Sequence, residues 1–222
     1  MSLHAPPPDT ALTRRRYDRI APIYDLVEWG MEWRFVPWRR ALWALVRPGH
    51  VLEVGVGTGK NLPYHPPDAE MTAIDLSPRM LERARRRARR LGSAARIELA
   101  DVQALPFPDA SFDTAAATFV FCSVPDPVLG LRELRRVLRP GGRLLLLEHV
   151  LSERPWLRRL MWRLDPLPYH LWGAHLNRET VHSVSAAGFV DVVAVELSLD
   201  IVKRIEAQAP GGHEETAGRG RV

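Results

Sequence analysis

The chain has 222 residues, 46% of them apolar, a net charge of +5 and a single cysteine, Cys122. That supports one substantial hydrophobic core and excludes an internal disulfide or a cysteine-based zinc site; no apolar run approaches the roughly 18 residues of a membrane-crossing helix. Lys60 and Lys203 are the only lysines, so the mild positive excess is almost all arginine, which suits anionic surfaces without being a nucleic-acid signature.

The proline-rich start, Met1 to Thr10, carries no signal-peptide pattern, so a cytoplasmic protein is expected. Residues 1–12 are expected to be disordered, 13–208 to form a single domain, and 209–222 to be a disordered tail. Residues 13–49 read as an N-terminal helical cap, with a short helix at 14–20 interrupted at Pro22 and a further segment interrupted at Pro37.

A core follows over residues 50–150. His50–Val54 reads as the first strand, and it runs into Gly55, Gly57 and Gly59, where the chain can bend sharply and approach a ligand. The second strand, Glu70–Asp75, ends in an acid 20 residues after Gly55, the distance of one β-α-β unit with a carboxylate on ribose hydroxyls. Ser77-Pro78 starts a helix that Gly92 stops. Met80, Ala84, Ala88 and Leu91 share one face of it, and Arg83, Arg85, Arg86, Arg87, Arg89 and Arg90 read as a solvated outer face, with an anion-binding patch as the alternative. Strands are expected at 96–100, 112–119 and 143–150, with a helix at 125–138 and a tight turn at Pro140-Gly141-Gly142. The rhythm implies an α/β fold: a Rossmann-like, doubly wound, mostly parallel seven-stranded sheet with an N-terminal helical cap and an inserted cap after strand five. That cap is 151–177, and 178–208 supplies a helix, 178–187 capped by Asn177, and strands at 189–195 and 197–205.

The glycine motif chooses the cofactor. A dinucleotide site wants G-x-G-x-x-G, whereas here the glycines alternate and Pro63 disturbs the helix turn that would cradle a pyrophosphate. Glu53 would repel one. A phosphate-free nucleoside, S-adenosylmethionine, fits better, with Asp75 on its ribose and Asp101-Val102 after strand three. No metal is expected, and nothing resembles a base-flipping motif, so no nucleic-acid partner is expected either.

The pieces VLEVGVGTG, AIDLSPRML, ADVQALPF, FDTAAATFVFCSV and ELRRVLRPGGRLLLLEHV resemble the core of class I S-adenosylmethionine-dependent methyltransferases. RYDRIAPIYDLVEWG looks like the N-terminal segment of ubiquinone/menaquinone C-methyltransferases and bacterial phospholipid N-methyltransferases, and the cap resembles that of members acting on small lipophilic substrates, thiol methyltransferases included. The resemblance spans roughly residues 13–197. It implies a cofactor site of Glu53, Gly55, Gly57, Gly59, Asp75, Leu76, Met80, Asp101, Val102 and Phe119, closed by Tyr17 and Tyr24.

Methyl transfer from a sulfonium needs alignment and dryness more than a protein nucleophile. The catalytic candidates are Tyr24, His149 and Tyr17; strand alternation points Glu148 and His149 to opposite faces, and His149 is preferred. Acceptor candidates are His149, Asp165, His170, Trp172 and Trp29. All seven tryptophans lie outside the core, interleaved with arginines, a composition suited to a bilayer interface or to a buried seam between caps and core. The expected activity is methylation of a lipid or other lipophilic acceptor, foremost the phosphatidylethanolamine amine at an anionic membrane. A quinone precursor or a small thiol is the alternative.

Overall fold

The computed structural model describes residues 8–166, 173 and 175–211. Helix α1 (Pro8–Ile20) and α2 (Tyr24–Trp43) are joined by a 3-10 turn at Ala21–Ile23 and precede β1 (Gly49–Val54). Then come β2 (Ala69–Asp75), α3 (Pro78–Leu91), β3 (Arg96–Leu99), β4 (Phe112–Thr118), α4 (Pro127–Val137) and β5 (Leu138–His149). Helix α5 (Pro155–Leu164), α6 (Thr180–Ala186) and the strands β6 (Val190–Ser198) and β7 (Val202–Gln208) complete the described chain. The seven strands form one sheet in the order β3-β2-β1-β4-β5-β7-β6. The first five are parallel, and β7 runs antiparallel to both β5 and β6. The order reverses between β1 and β4, the switch point at which open α/β sheets bind ligands beyond the strands' carboxyl ends.

The sheet is buried on both faces. Along β5, Leu144 and Leu146 enter one core with Leu131, Leu134 and Val137 of α4 and Val184 of α6. Leu145 and Leu147 enter the other, with Leu42 and Trp43 of α2. This is period-2 alternation in a strand with no polar face. Each fully buried leucine contributes about 1.5–3 kcal/mol. Helix α3 is bounded as its sequence requires: Ser77 Oγ accepts from the Met80 amide, and Gly92 closes the helix in the left-handed region.

Several boundaries differ from expectation. Residues 8–12 are helical rather than disordered, and Thr10 is buried. Pro37 lies inside α2 without ending it: the missing donor and ring crowding are outweighed because the same turns bury Phe35, Leu42 and Trp43. Pro140-Gly141-Gly142 is an irregularity within β5 rather than a turn before it. Leu138 pairs with Phe112, the register then slips, and the Gly141 amide donates to the Ala209 carbonyl. Ala209 is thereby pinned and buried, so the ordered chain extends past 208. The last helix starts at Thr180, and no side chain caps it, Asn177 included. The final hairpin turns at Leu199 and Asp200, both left-handed. Neither residue signals that conformation; the Asp200 carboxylate is held by the Ser152 hydroxyl and the Glu153 amide, contacts no local pattern reveals.

Candidate active site

The turn after β1 hangs on the acid at the end of β2. Gly55 and Gly57 both have positive φ, and a Cβ at Gly55 would collide with the side chain of Val120. The Gly57 amide donates to Asp75 Oδ2 and the Ser77 amide to Oδ1, each at 2.8 Å. A carboxylate has about four acceptor positions, so two remain for a ligand's hydroxyls. Burial pushes the Asp75 carboxyl up to about 6 against these two bonds, with Glu53 and Asp18 adding to the rise.

Asp75, Leu76, Met80, Asp101 and Val102 line one cleft together with Gly55, Gly57, Thr118, Phe119 and Val120. Asp101 accepts from the Gln103 backbone and side chain. Gln103 also reaches Thr10 of α1 and accepts from the Asp126 amide that starts α4. Its importance was missed from sequence, where only its place beside Asp101-Val102 could have marked it. Thr13, Tyr17 and Tyr24 cover the cleft. Tyr17 donates to Ser123 Oγ at 3.0 Å, and burial holds both phenols well above their ordinary range.

This cover is tied down by charge. Asp25 accepts from Thr58 and pairs with Arg83 and Arg87 of α3. Lys60 pairs with Glu28 and Glu32 at 2.6 and 2.8 Å. The Asp18 carboxylate accepts from the Ser77 hydroxyl. The arginine face of α3 is therefore only partly solvated: Arg83 and Arg87 grip α2, while Arg86, Arg89 and Arg90 face outward.

Two residues expected at the cofactor lie outside its lining. Glu53 is fully buried beneath the turn, bonded to Asn61 and His65, and Asn61 in turn bonds Thr118. At Gly59 a Cβ would stand 2.7 Å from Leu62 and 3.2 Å from Ala84, so this glycine lets the turn pack against α3. His149 does not reach the cleft either. It stacks on Phe119, centroids 4.6 Å apart, with Phe35 edge-on at 6.0 Å, and burial lowers its ring to about 4. Phe119 itself has φ +58.

Among the acceptor candidates, Asp165 is buried and bonded to His175 and the Leu176 amide, fastening the cap. Trp29 is 77% exposed and lies outside the cleft. His170 and Trp172 lie outside the described residues. The tryptophans divide: Trp43 is core, while Trp29, Trp33, Trp156 and Trp162 are exposed together with Leu26 and Val27 of α2 and Leu160 and Leu164 of α5.

The donor set tests the cofactor. The ionisable groups lining the cleft are Asp75, Asp101, Tyr17 and Tyr24, with no arginine, lysine or histidine among the described lining residues. A pyrophosphate would meet two carboxylates and no cation, whereas a cationic nucleoside sulfonium suits both charge and ribose geometry. Among the described residues no group of His, Cys, Asp and Glu could hold a metal ion, and no helix is long and apolar enough to cross a membrane.

Residues 52–146 match the family model described as methyltransferase domain. The chain is 36% identical over 148 residues to thiol S-methyltransferase TMT1B of Rattus norvegicus, covering 64% of this chain and 60% of that protein. It is 40% identical over 118 residues to phosphatidylethanolamine N-methyltransferase of Cereibacter sphaeroides, 52% and 58% of the two chains. It is also 40% identical over 142 residues to demethylmenaquinone methyltransferase of Thermus thermophilus, 60% and 63%. The chain thus spans about three fifths of the length of these relatives. A Thermotoga maritima structure described as an S-adenosylmethionine-dependent methyltransferase, possibly a histamine N-methyltransferase, superposes with a TM-score of 0.69 at 23% identity, covering 88% of this chain and 99% of that one. The [4+2]-cyclase SpnF superposes at 0.73 with 20% identity, covering 94% and 98%, so the fold by itself does not specify the reaction.

Proposed function

We propose that this chain, which matches a methyltransferase-domain model over residues 52–146, is a class I S-adenosylmethionine-dependent methyltransferase that methylates a lipophilic acceptor at a membrane surface, with the amine of phosphatidylethanolamine as the acceptor. The observation that carries the reading is the exposed apolar face of the covering helices. Leu26, Trp29 and Trp33 are 74%, 77% and 70% exposed on α2, while the acids of that helix, Asp25, Glu28 and Glu32, turn inward to Lys60, Arg83 and Arg87. What is left outside is apolar and aromatic, with Arg34 beside Trp33; α5 separately exposes Trp156 and Trp162. Such a surface suits an anionic bilayer interface.

Bound S-adenosylmethionine supplies a sulfonium-activated methyl group. The residues' share is to bind, orient and dry: Asp75 holds the ribose, Asp101 the adenine edge, and Tyr17 and Tyr24 close the cleft. Both phenols keep their protons near neutral pH, so they act as hydrogen-bonding covers rather than bases. His149 stays neutral and, with Phe35, packs behind Phe119, backing the aromatic floor of the cleft. An amine acceptor arriving unprotonated needs no base from the protein.

The test offers labelled S-adenosylmethionine with phosphatidylethanolamine vesicles, a demethylated quinone and an alkyl thiol, alongside flotation on vesicles of rising anionic content. Label in the phospholipid, and flotation that falls at least fivefold in Trp29→Ala/Trp33→Ala, is the expected result. Label in the quinone or thiol only would replace the acceptor, and no flotation at any composition would remove the membrane.

A further inference from the structure

We infer that Glu148 is the positioning residue of the cleft floor: its carboxylate, reaching across from the end of β5, fixes the turn after β4 in the conformation that presents Phe119 and Val120 to the cofactor. The inference rests on the reading of the cleft as the methyl-donor site.

The geometry is specific. Glu148 Oε1 accepts from the Val120 amide at 2.8 Å and the Phe121 amide at 3.2 Å. The residue is fully buried, and Oε2 has no hydrogen-bond partner among the described residues. Its strand partner in the β5–β7 register, Lys203, does not neutralise it, because Lys203 Nζ lies 2.7 Å from Glu153 and 3.9 Å from Glu196. Cys122, within the turn itself, is a buried thiol pushed up to about 12 by its own burial and then by Glu148. Among the described residues Glu148 is therefore a buried acid without a counter-ion, and burial raises it to about 7 against its two amide bonds. An apolar residue would cost less in that position, so stability alone does not account for the acid.

What it holds is strained. Phe119 sits in the left-handed region, which an aromatic residue rarely occupies, and the residue lines the cleft. Val120 packs where Gly55 has no Cβ, so a shift of the turn would press on the glycine turn under the cofactor. Consecutive residues of β5 secure the segment twice: Glu148 through the backbone of Val120 and Phe121, His149 through the face of Phe119.

The experiment measures S-adenosylmethionine affinity by calorimetry and amide hydrogen exchange at Val120 and Phe121 in the full chain, with Glu148→Gln, Glu148→Ala and Glu148→Leu. Gln keeps a carbonyl at the same reach, so near-wild-type protection and affinity within about threefold are expected. Ala and Leu should speed exchange at both amides at least tenfold and weaken binding at least tenfold, while the thermal midpoint of the ligand-free protein moves by only a few degrees. Wild-type exchange at Val120 and Phe121 in the Ala and Leu variants would overturn the inference, as would loss in Gln equal to that in Ala. A wild-type protein that protects both amides but binds no S-adenosylmethionine would instead overturn the reading of the cleft, and this inference with it.

Discussion

Asp75 carries two loads. It holds the glycine turn through Gly57 and the start of α3 through Ser77, and it keeps acceptor capacity for a ligand. Its carboxyl is raised to about 6 by burial, so a cationic ligand meets a largely protonated acid below that pH and an ionised one above it. S-adenosylmethionine affinity should therefore rise between pH 5 and 7, and Asp75→Asn should flatten that rise. Asp75→Ala should cost at least about tenfold in affinity, roughly 1.4 kcal/mol, by calorimetry; unchanged binding would sink the site. The place of Asp75 at the cleft beside the glycine turn was legible because its signal is a distance along the chain from a glycine motif. Glu53 was not, although it sits in the same motif: nothing local reveals that Asn61 and His65 receive its carboxylate below the turn. Gly59 likewise looks like Gly55 in sequence, yet a Cβ there would meet Leu62 and Ala84 where one at Gly55 would meet Val120.

At the scale of elements, the cover matters most. Helices α1 and α2 lie over the cleft, and three acids of α2 are matched by Lys60 on the glycine turn and Arg83 and Arg87 on α3. Loosening of this contact is the expected step of cofactor exchange. Asp25 is about a third exposed, so its pairs are partly screened and together stabilise closure by only about 1 kcal/mol. Asp25→Asn should speed release of S-adenosylhomocysteine about fivefold in a stopped-flow displacement assay. The same rate should rise with ionic strength in the wild type and less so in the variant; a rate indifferent to both would show that the pairs do not hold the cover. The arginine run of α3 was readable as one charged face, but which arginines reach inward depends on where α2 crosses it, 58 and 62 residues away in sequence.

For the whole molecule, the sheet separates two cores that share β5. Leu144 belongs to one and Leu145 to the other, both fully buried. Each Leu→Ala change should destabilise by about 2–5 kcal/mol in chemical denaturation. The two side chains share no cluster but share one strand backbone. The departure of the double variant from the sum therefore measures how far the two layers are coupled through β5, and a departure above about 0.5 kcal/mol is expected for neighbours. The outer surfaces of α2 and α5 belong to this scale too, since burial of the inner faces leaves their tryptophans outward.

The sequence by itself determined the strand-helix rhythm, the glycine turn with its acid and the ends of α3. Those properties follow from backbone geometry and from residue period, which act over a few residues. Tertiary structure decided that Pro37 stays helical, that Leu199-Asp200 turns the last hairpin, that Glu53 supports the turn from beneath, and that His149 stands behind Phe119. It also separated the buried Trp43 from the exposed Trp29 and Trp33. In each case the deciding partner comes from a distant part of the chain, and only packing brings the two together.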